Sequence, residues 1–245
     1  MRSGERPLGA VPRWIILLLA ICLVAQVGMK ASIGLAAPQA EDLPTPPHPL
    51  ALRIASFGEP ATLARLAMVY LQSFDFHGGN SLPYRKLDYN RLVGWLRAIQ
   101  SLDPLSKYPL FVASRIYAEV ADTDRQRIML EYIYQAYVAD PNRHWPAMTH
   151  AAMLAKHRLK DLPLALKYAK AVDQLTTSKE VPLWAKQMEV FILEDMNELE
   201  AARIMLGGLL AAGQVKDDLE RKYLESRLKN MSERLQSGTM PRAVR

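Results

Sequence analysis

The chain has 245 residues, half of them hydrophobic and 23% charged, a make-up that suits a folded protein with a substantial core. Its net charge of +6 is concentrated at the ends, in Arg2, Arg6, Arg13 and Lys30 against Glu5 and in the tail from Lys216 onward, so the middle is nearly neutral. That distribution argues against a basic nucleic-acid face on the body. A single cysteine, Cys22, excludes an internal disulfide and a thiolate metal cage.

The first element is an apolar helix. Trp14 to Met29 carries no charge and is bounded by Arg13 and Lys30. At about 1.5 Å per residue it reaches roughly 24 Å, short of a hydrocarbon core of roughly 30 Å. Snorkelling by Arg13 and Lys30, and the uncharged run that follows Lys30, make up the difference. We read 1–13 as a basic cytoplasmic N-terminus and 14–37 as a transmembrane signal anchor. The arginines before the span place the rest of the chain across the membrane. For a bacterial source this means a single-pass inner-membrane protein with its body in the periplasm. A cleaved signal peptide, cut near Gly34-Leu35-Ala36, is the alternative and leaves a soluble periplasmic protein. Leu19-Ala20-Ile21-Cys22 departs from a lipobox, because Ile21 is not small and the apolar run continues beyond Cys22.

Residues 38–59 follow as a proline-rich linker. Five of the twelve residues from Pro38 to Pro49 are proline, which favours a semi-rigid polyproline spacer of perhaps ~37 Å that holds the body off the bilayer. From Pro60 the chain shows apolar stripes of period 3.6 and almost no strand signal. A helix is predicted over 61–76, stopped by His77-Gly78-Gly79-Asn80, and a second from Asp88, its N-cap. Further helices are predicted over 106–120, 124–139, 142–158, 162–175, 182–196, 198–212 and 216–236, with Asp161 and Asn197 at cap positions. Residues 237–245 form a flexible basic tail.

The helical region, 60–236, repeats itself. Tyr108-Pro109, Trp145-Pro146 and Val181-Pro182 recur at steps of 37 and 36 and read as the openings of helix pairs. Asp103-Pro104 and Asp140-Pro141 read as exit signals. The segment ending at Ala165 aligns with the one ending at Ala201 at an offset of 36, which makes both alanines buried contacts. On these residues the chain resembles the tetratricopeptide repeat, in four irregular units near 60–104, 105–141, 142–177 and 178–214. It departs from that family in an enlarged loop in the first unit, in repeats longer than the usual 34 residues, and in lacking an exit proline after the third and fourth. The resemblance implies an all-α right-handed superhelix of four hairpins, closed by the charged helix 216–236 as a solvating cap.

No residue pattern points to catalysis. His150 and His157 stand two turns apart, about 10.5 Å, too far to share one metal ion. Phosphate-loop, nucleophile-elbow and paired-cysteine motifs are absent from the sequence. The acidic pairs Glu194-Asp195 and Asp217-Asp218 point apart on a helix. Gly207-Gly208 reads as a site of close helix packing, and Tyr132, Tyr134, Tyr137, Trp145 and Trp184 as core and inter-repeat packing. We expect no cofactor, no metal, no nucleic acid and no small-molecule substrate.

The tetratricopeptide resemblance further implies a concave groove lined by the first helix of each unit. It would carry Phe111 and Ser114, then His150, Leu154, His157 and Arg158, then Lys186, Val190, Leu193 and Glu194. Mixed basic and apolar character suits an extended peptide or a partner helix. The expectation is therefore a non-enzymatic, membrane-anchored scaffold or assembly factor that holds another envelope or membrane-complex protein. An anchored glycan-acting enzyme with two facing carboxylates, or a structural subunit of a larger complex, are the alternatives.

Overall fold

Aspartate and proline start most of the helices. In a computed structural model that describes residues 12–32, 42–74, 84–213 and 215–237, the Asp88, Asp122, Asp140 and Asp161 carboxylates accept backbone N–H groups at the starts of four helices. Each satisfies a donor that the first turn leaves without a partner. Proline, with φ already helical, occupies the first turn of two of these, at Pro141 and Pro163, and of three others, at Pro49, Pro60 and Pro109. The described residues form eleven α-helices and two short 3₁₀ turns, with no strand. The helices are α1 (Arg13–Ser32), α2 (Pro49–Ala55), α3 (Pro60–Ser73), α4 (Tyr89–Leu102), α5 (Tyr108–Arg115) and α6 (Thr123–Ala139). They continue with α7 (Pro141–His157), α8 (Leu162–Leu175), α9 (Leu183–Asp195), α10 (Leu199–Ala211) and α11 (Asp218–Ser237). The chain is all-α over its described length.

Two units make up the chain, and α1 is the described part of the first. Its uncharged stretch, Trp14–Met29, carries large apolar side chains on every side, most of them between 50% and 70% exposed. Among the described residues no helix is long and apolar enough to cross a membrane. Residues 1–11, 33–41, 75–83 and 238–245 lie outside the described set, and with them the expected N-terminal flank, the glycine stop after α3, and the C-terminal tail.

In the second unit most helices pack mainly on their neighbours in the chain, α7 on α8 and α8 on α9 most extensively, while α2 reaches α4 and α5 reaches α7. One apolar cluster runs from Leu43 to Ile192, and a second gathers Val190, Leu193, Ala202, Leu206, Val215, Leu224 and Met231. Buried tyrosines tie helices together through carbonyls: Tyr89 Oη donates to Tyr117 O and Tyr137 Oη to Ala171 O, both at 2.8 Å.

Several expectations need correction. The linker over 38–59 is not free where it is described. Leu43 is fully buried, the Asp88 N–H donates to Asp42 Oδ1, Arg91 donates to Leu43 O, and Trp95 Nε1 donates to Pro44 O at 2.8 Å. Pro46 lies against Gly94, where a Cβ would stand 2.7 Å from its Cγ, so the absent side chain lets this strap lie on α4. Beyond it, 49–55 is helical, with Leu52 buried. The predicted 106–120 helix breaks at Ile116 into α5 and a 3₁₀ turn over Tyr117–Glu119. Trp145-Pro146 lies inside α7, because Asp140 both ends α6 and caps α7. Asp140-Pro141 therefore marks the exit from α6, as expected, and opens α7 as well.

The repeat offset is also corrected, by one residue. Asn197 is not an N-cap; it holds a left-handed backbone with φ +62°, as does Lys160 with φ +55°. The turn at Asn197 closes α9, with Glu198 N–H bonded to Leu193 O and Asn197 N–H to Glu194 O, the double bond of a Schellman end. Lys160 and Asn197 are 37 apart, and so are the fully buried Ala165 and Ala202. Ala201, the expected contact, is exposed. A slip of one residue turns a helix by about 100°, which is why the neighbouring alanine takes the buried place. A Cβ added at Gly207 or Gly208 would meet nothing within 4 Å, so these glycines do not serve close packing.

Candidate partner-binding cleft

The sequence of α5 alternates sides so that Leu110 and Ser114 turn inward while Phe111 and Arg115 remain exposed, one turn apart in each case. Opposite them, α7 presents Arg143, His144, Pro146 and Ala147. Between the two helices lies a cavity of about 280 Å³, bounded also by Lys107 at the entry to α5. Its walls are apolar where Leu110, Phe111, Pro146 and Ala147 face it, and its rim is cationic.

The cations differ in how they are held. Arg143 is fixed, with Nε 2.8 Å from Asp140 Oδ2 and a second nitrogen donating to Leu105 O at 3.0 Å. Lys107 and Arg115 make no such bond among the described residues, so their charge is available to an incoming group. His144 is only 6% exposed. Its Nδ1 lies 2.9 Å from Ala136 O, and since a carbonyl only accepts, Nδ1 carries the proton. In the neutral ring Nε2 is then a bare acceptor, buried and without a donor. Ser114, also buried, donates its hydroxyl to Phe111 O at 3.0 Å.

Of the residues expected to line a groove, Phe111 and Ser114 reach this cleft and the others do not. Leu154, Val190 and Leu193 belong to the core. His150 Nε2 lies 3.2 Å from Glu119 Oε1, and Arg158 donates to Glu119 Oε2 at 3.0 Å, so both pack against the 3₁₀ turn after α5. Burial and the nearby Arg115 cation hold the His150 imidazole below its usual range, against the opposing pull of Glu119. Lys186 donates to Thr176 O at the end of α8. Glu194 holds α11, accepting from Arg227 at 2.7 Å and Arg234 at 3.1 Å. His157 is exposed and apart from the cleft. The family-derived groove therefore does not form as one surface from these residues, because the predicted helix phase places most of them in helix–helix contacts.

Of the nine residues that line the cleft, all but Phe111 and Ser114 were missed by the sequence reading, the cations Lys107, Arg115 and Arg143 among them. A usable signal was present: Asp-x-x-Arg recurs at Asp88–Arg91, Asp122–Arg125 and Asp140–Arg143, and each aspartate caps a helix while pairing with its own arginine. That pattern fixes the phase of the first turn of α7.

Two further hollows are more open. One, of about 560 Å³, involves Leu166, Lys170, Met196 and Lys167, whose Nζ sits 4.2 Å above the Tyr134 ring. The other, of about 390 Å³, involves Arg97, Gln100, Tyr132 and Gln135. Glu189, buried on α9, has its carboxyl pushed up by burial, and Asp173 adds to this against the pull of Lys170. It is not among the residues lining these three cavities. Trp145 and Trp184 meet edge to face at 5.7 Å, with half of Trp184 left exposed. Among the described residues no three metal-ligating side chains converge.

No family model, no curated protein and no solved structure matches this chain. The cleft's apolar walls, cationic rim and buried acceptor suit binding an amphiphilic group.

Proposed function

We propose that this chain is a non-enzymatic, membrane-anchored interaction protein whose α5–α7 cleft receives an apolar side chain carried on an acidic segment of a partner protein. The observation that carries this reading is the pairing of apolar walls with Lys107 and Arg115, two cations that no carboxylate of the described chain engages. An apolar side chain supplies affinity by leaving water, and flanking carboxylates orient it through the rim. His144 Nε2 accepts an N–H or O–H from the same segment.

Support for a tetratricopeptide-like superhelix comes from the 37-residue recurrence of a left-handed turn followed by a buried alanine, and from packing that stays local along the chain. Such arrays usually serve as binding surfaces. Support for the anchor comes from the uncharged, apolar surface of α1 and the basic residues before it. On this reading the protein is a single-pass protein of a bacterial inner membrane with a periplasmic body, and its partner is an envelope or membrane-complex component. Cleavage after the apolar segment would release the same body into the periplasm.

Co-purification from detergent extracts tests the cleft. Reversing both rim cations, Lys107→Glu with Arg115→Glu, is expected to lower partner recovery at least about ten-fold, since like charges then face each other. Reversing Arg158→Glu with Lys186→Glu, which act inside the body, leaves recovery of the folded protein near the wild-type level. Equal recovery from wild type and the Lys107/Arg115 pair would remove the cleft from the account.

A further inference from the structure

The two ends of the second unit are finished differently. At the C-terminal end α11 covers the second apolar cluster with Leu224 and Met231 and turns a mainly charged surface outward, in which Leu219 and Tyr223 are also exposed. At the N-terminal end α2 and α3 bury Leu52 and Met68 inward, yet their outer sides are apolar as well. Leu50 and Ile54 lie one turn apart on the side of α2 away from Leu52, and Leu66 and Val69 form a similar strip on α3. Each of these four side chains is at least 60% exposed. Phe57, in the turn between the helices, is 93% exposed and sits at φ +47°, a left-handed backbone region unfavourable to a bulky side chain. Nothing within the fold gains from holding an aromatic ring there.

We infer that the α2–α3 hairpin rests on a phospholipid surface, with Phe57, Ile54 and Leu50 in the boundary between headgroups and acyl chains. The inference rests on the anchor reading of α1. Charge favours it: Arg53 and Arg65 are exposed beside the apolar strips, and Glu59 is the one acidic residue between Pro49 and Ser73, which suits anionic headgroups. Chain length favours it too. About a dozen residues join the apolar run of α1 to Asp42, a reach of at most ~45 Å at about 3.6 Å each. Asp42 and Leu43 are bonded to α4, against which α2 packs. The point where the tether enters the body and the exposed hairpin thus share one support, α4. Five exposed large apolar side chains around two arginines match the composition of interfacial segments, where an exposed apolar patch meets lipid.

Lipid-borne quenching tests it on the full chain. Cys22→Ser removes the native thiol, and Phe57→Cys or Leu219→Cys, the latter on exposed α11, places one environment-sensitive fluorophore. The proteins are reconstituted into vesicles of phosphatidylethanolamine and phosphatidylglycerol that carry nitroxide-labelled lipid. The expected result is quenching several-fold stronger at position 57 than at 219. Equal, weak quenching at both sites in protein that floats with the vesicles would overturn the inference and leave the anchor standing. Protein that fails to float would overturn the anchor, and this inference with it. A fluorophore at 57 shielded from aqueous iodide but untouched by lipid nitroxides, more so as protein density rises, would assign the face to a second copy and overturn the lipid reading.

Discussion

Asp161 shows how much one side chain settles in this fold. Its carboxylate caps α8 through the Leu164 N–H at 3.0 Å and reaches across to Arg127 of α6 at 2.8 Å. These two contacts, the backbone one first, hold its carboxyl below the ordinary range. A depressed carboxyl contributes stability that is present above the ordinary aspartate pKa and is lost as pH falls through its own lower value. Asp161→Ala is therefore expected to cost about 1–2 kcal/mol at neutral pH, most of it from the cap because Arg127 is half exposed. Denaturant titrations should show that difference at pH 7 and its progressive loss as pH falls below the ordinary aspartate range; a difference that persists undiminished in acid would assign the loss to packing. This cap was legible in the sequence, as was Asp88. Asn197 was not, because asparagine serves both as an N-cap and as a left-handed residue at a helix end, and only the following turn decides which.

At the scale of elements, helices from α3 onward were largely legible because their apolar stripes and caps agree. The strap was not, and of the cap only its existence was, not what attaches it. Residues 42–48 read as a free spacer, since proline disfavours helix and strand alike; what pins them is long-range, the Leu43 pocket and the missing side chain at Gly94. The charged α11 reads as a solvated cap from composition alone, yet its attachment runs through Glu194, a residue that pattern assigned to a groove. In α10 the glycine pair misled for a similar reason: small residues mark close packing only when another element approaches, and here none does. Gly207→Ala and Gly208→Ala should each stabilise the protein by roughly 0.5–1 kcal/mol, the entropy and propensity gain of alanine in a helix interior. Thermal unfolding of the two single variants measures it. A loss of stability in either would mean that the backbone of α10 is approached after all.

Over the whole molecule, sequence repetition announced an all-α body but set its step one residue short. Aligning the segments that end at Ala165 and Ala201 gave 36, whereas the left-handed turns at Lys160 and Asn197 stand 37 apart. One residue of slip moves a side chain by a quarter turn or more, enough to exchange groove and core positions. That is the physical reason why Val190, Leu193, Leu154 and Glu194 were placed on a binding face and lie between helices. The cleft that does form joins α5 to α7, across repeats, and its character comes from residues some 35 apart that no local pattern links. The most direct measurement is site-specific photo-crosslinking in intact cells, with a photoreactive residue at Phe111 in the cleft or at the exposed Lys229 of α11. A discrete adduct from position 111, absent from 229 and lost on Arg115→Glu, is the predicted result; identical adducts from both positions, unchanged by Arg115→Glu, would contradict the account.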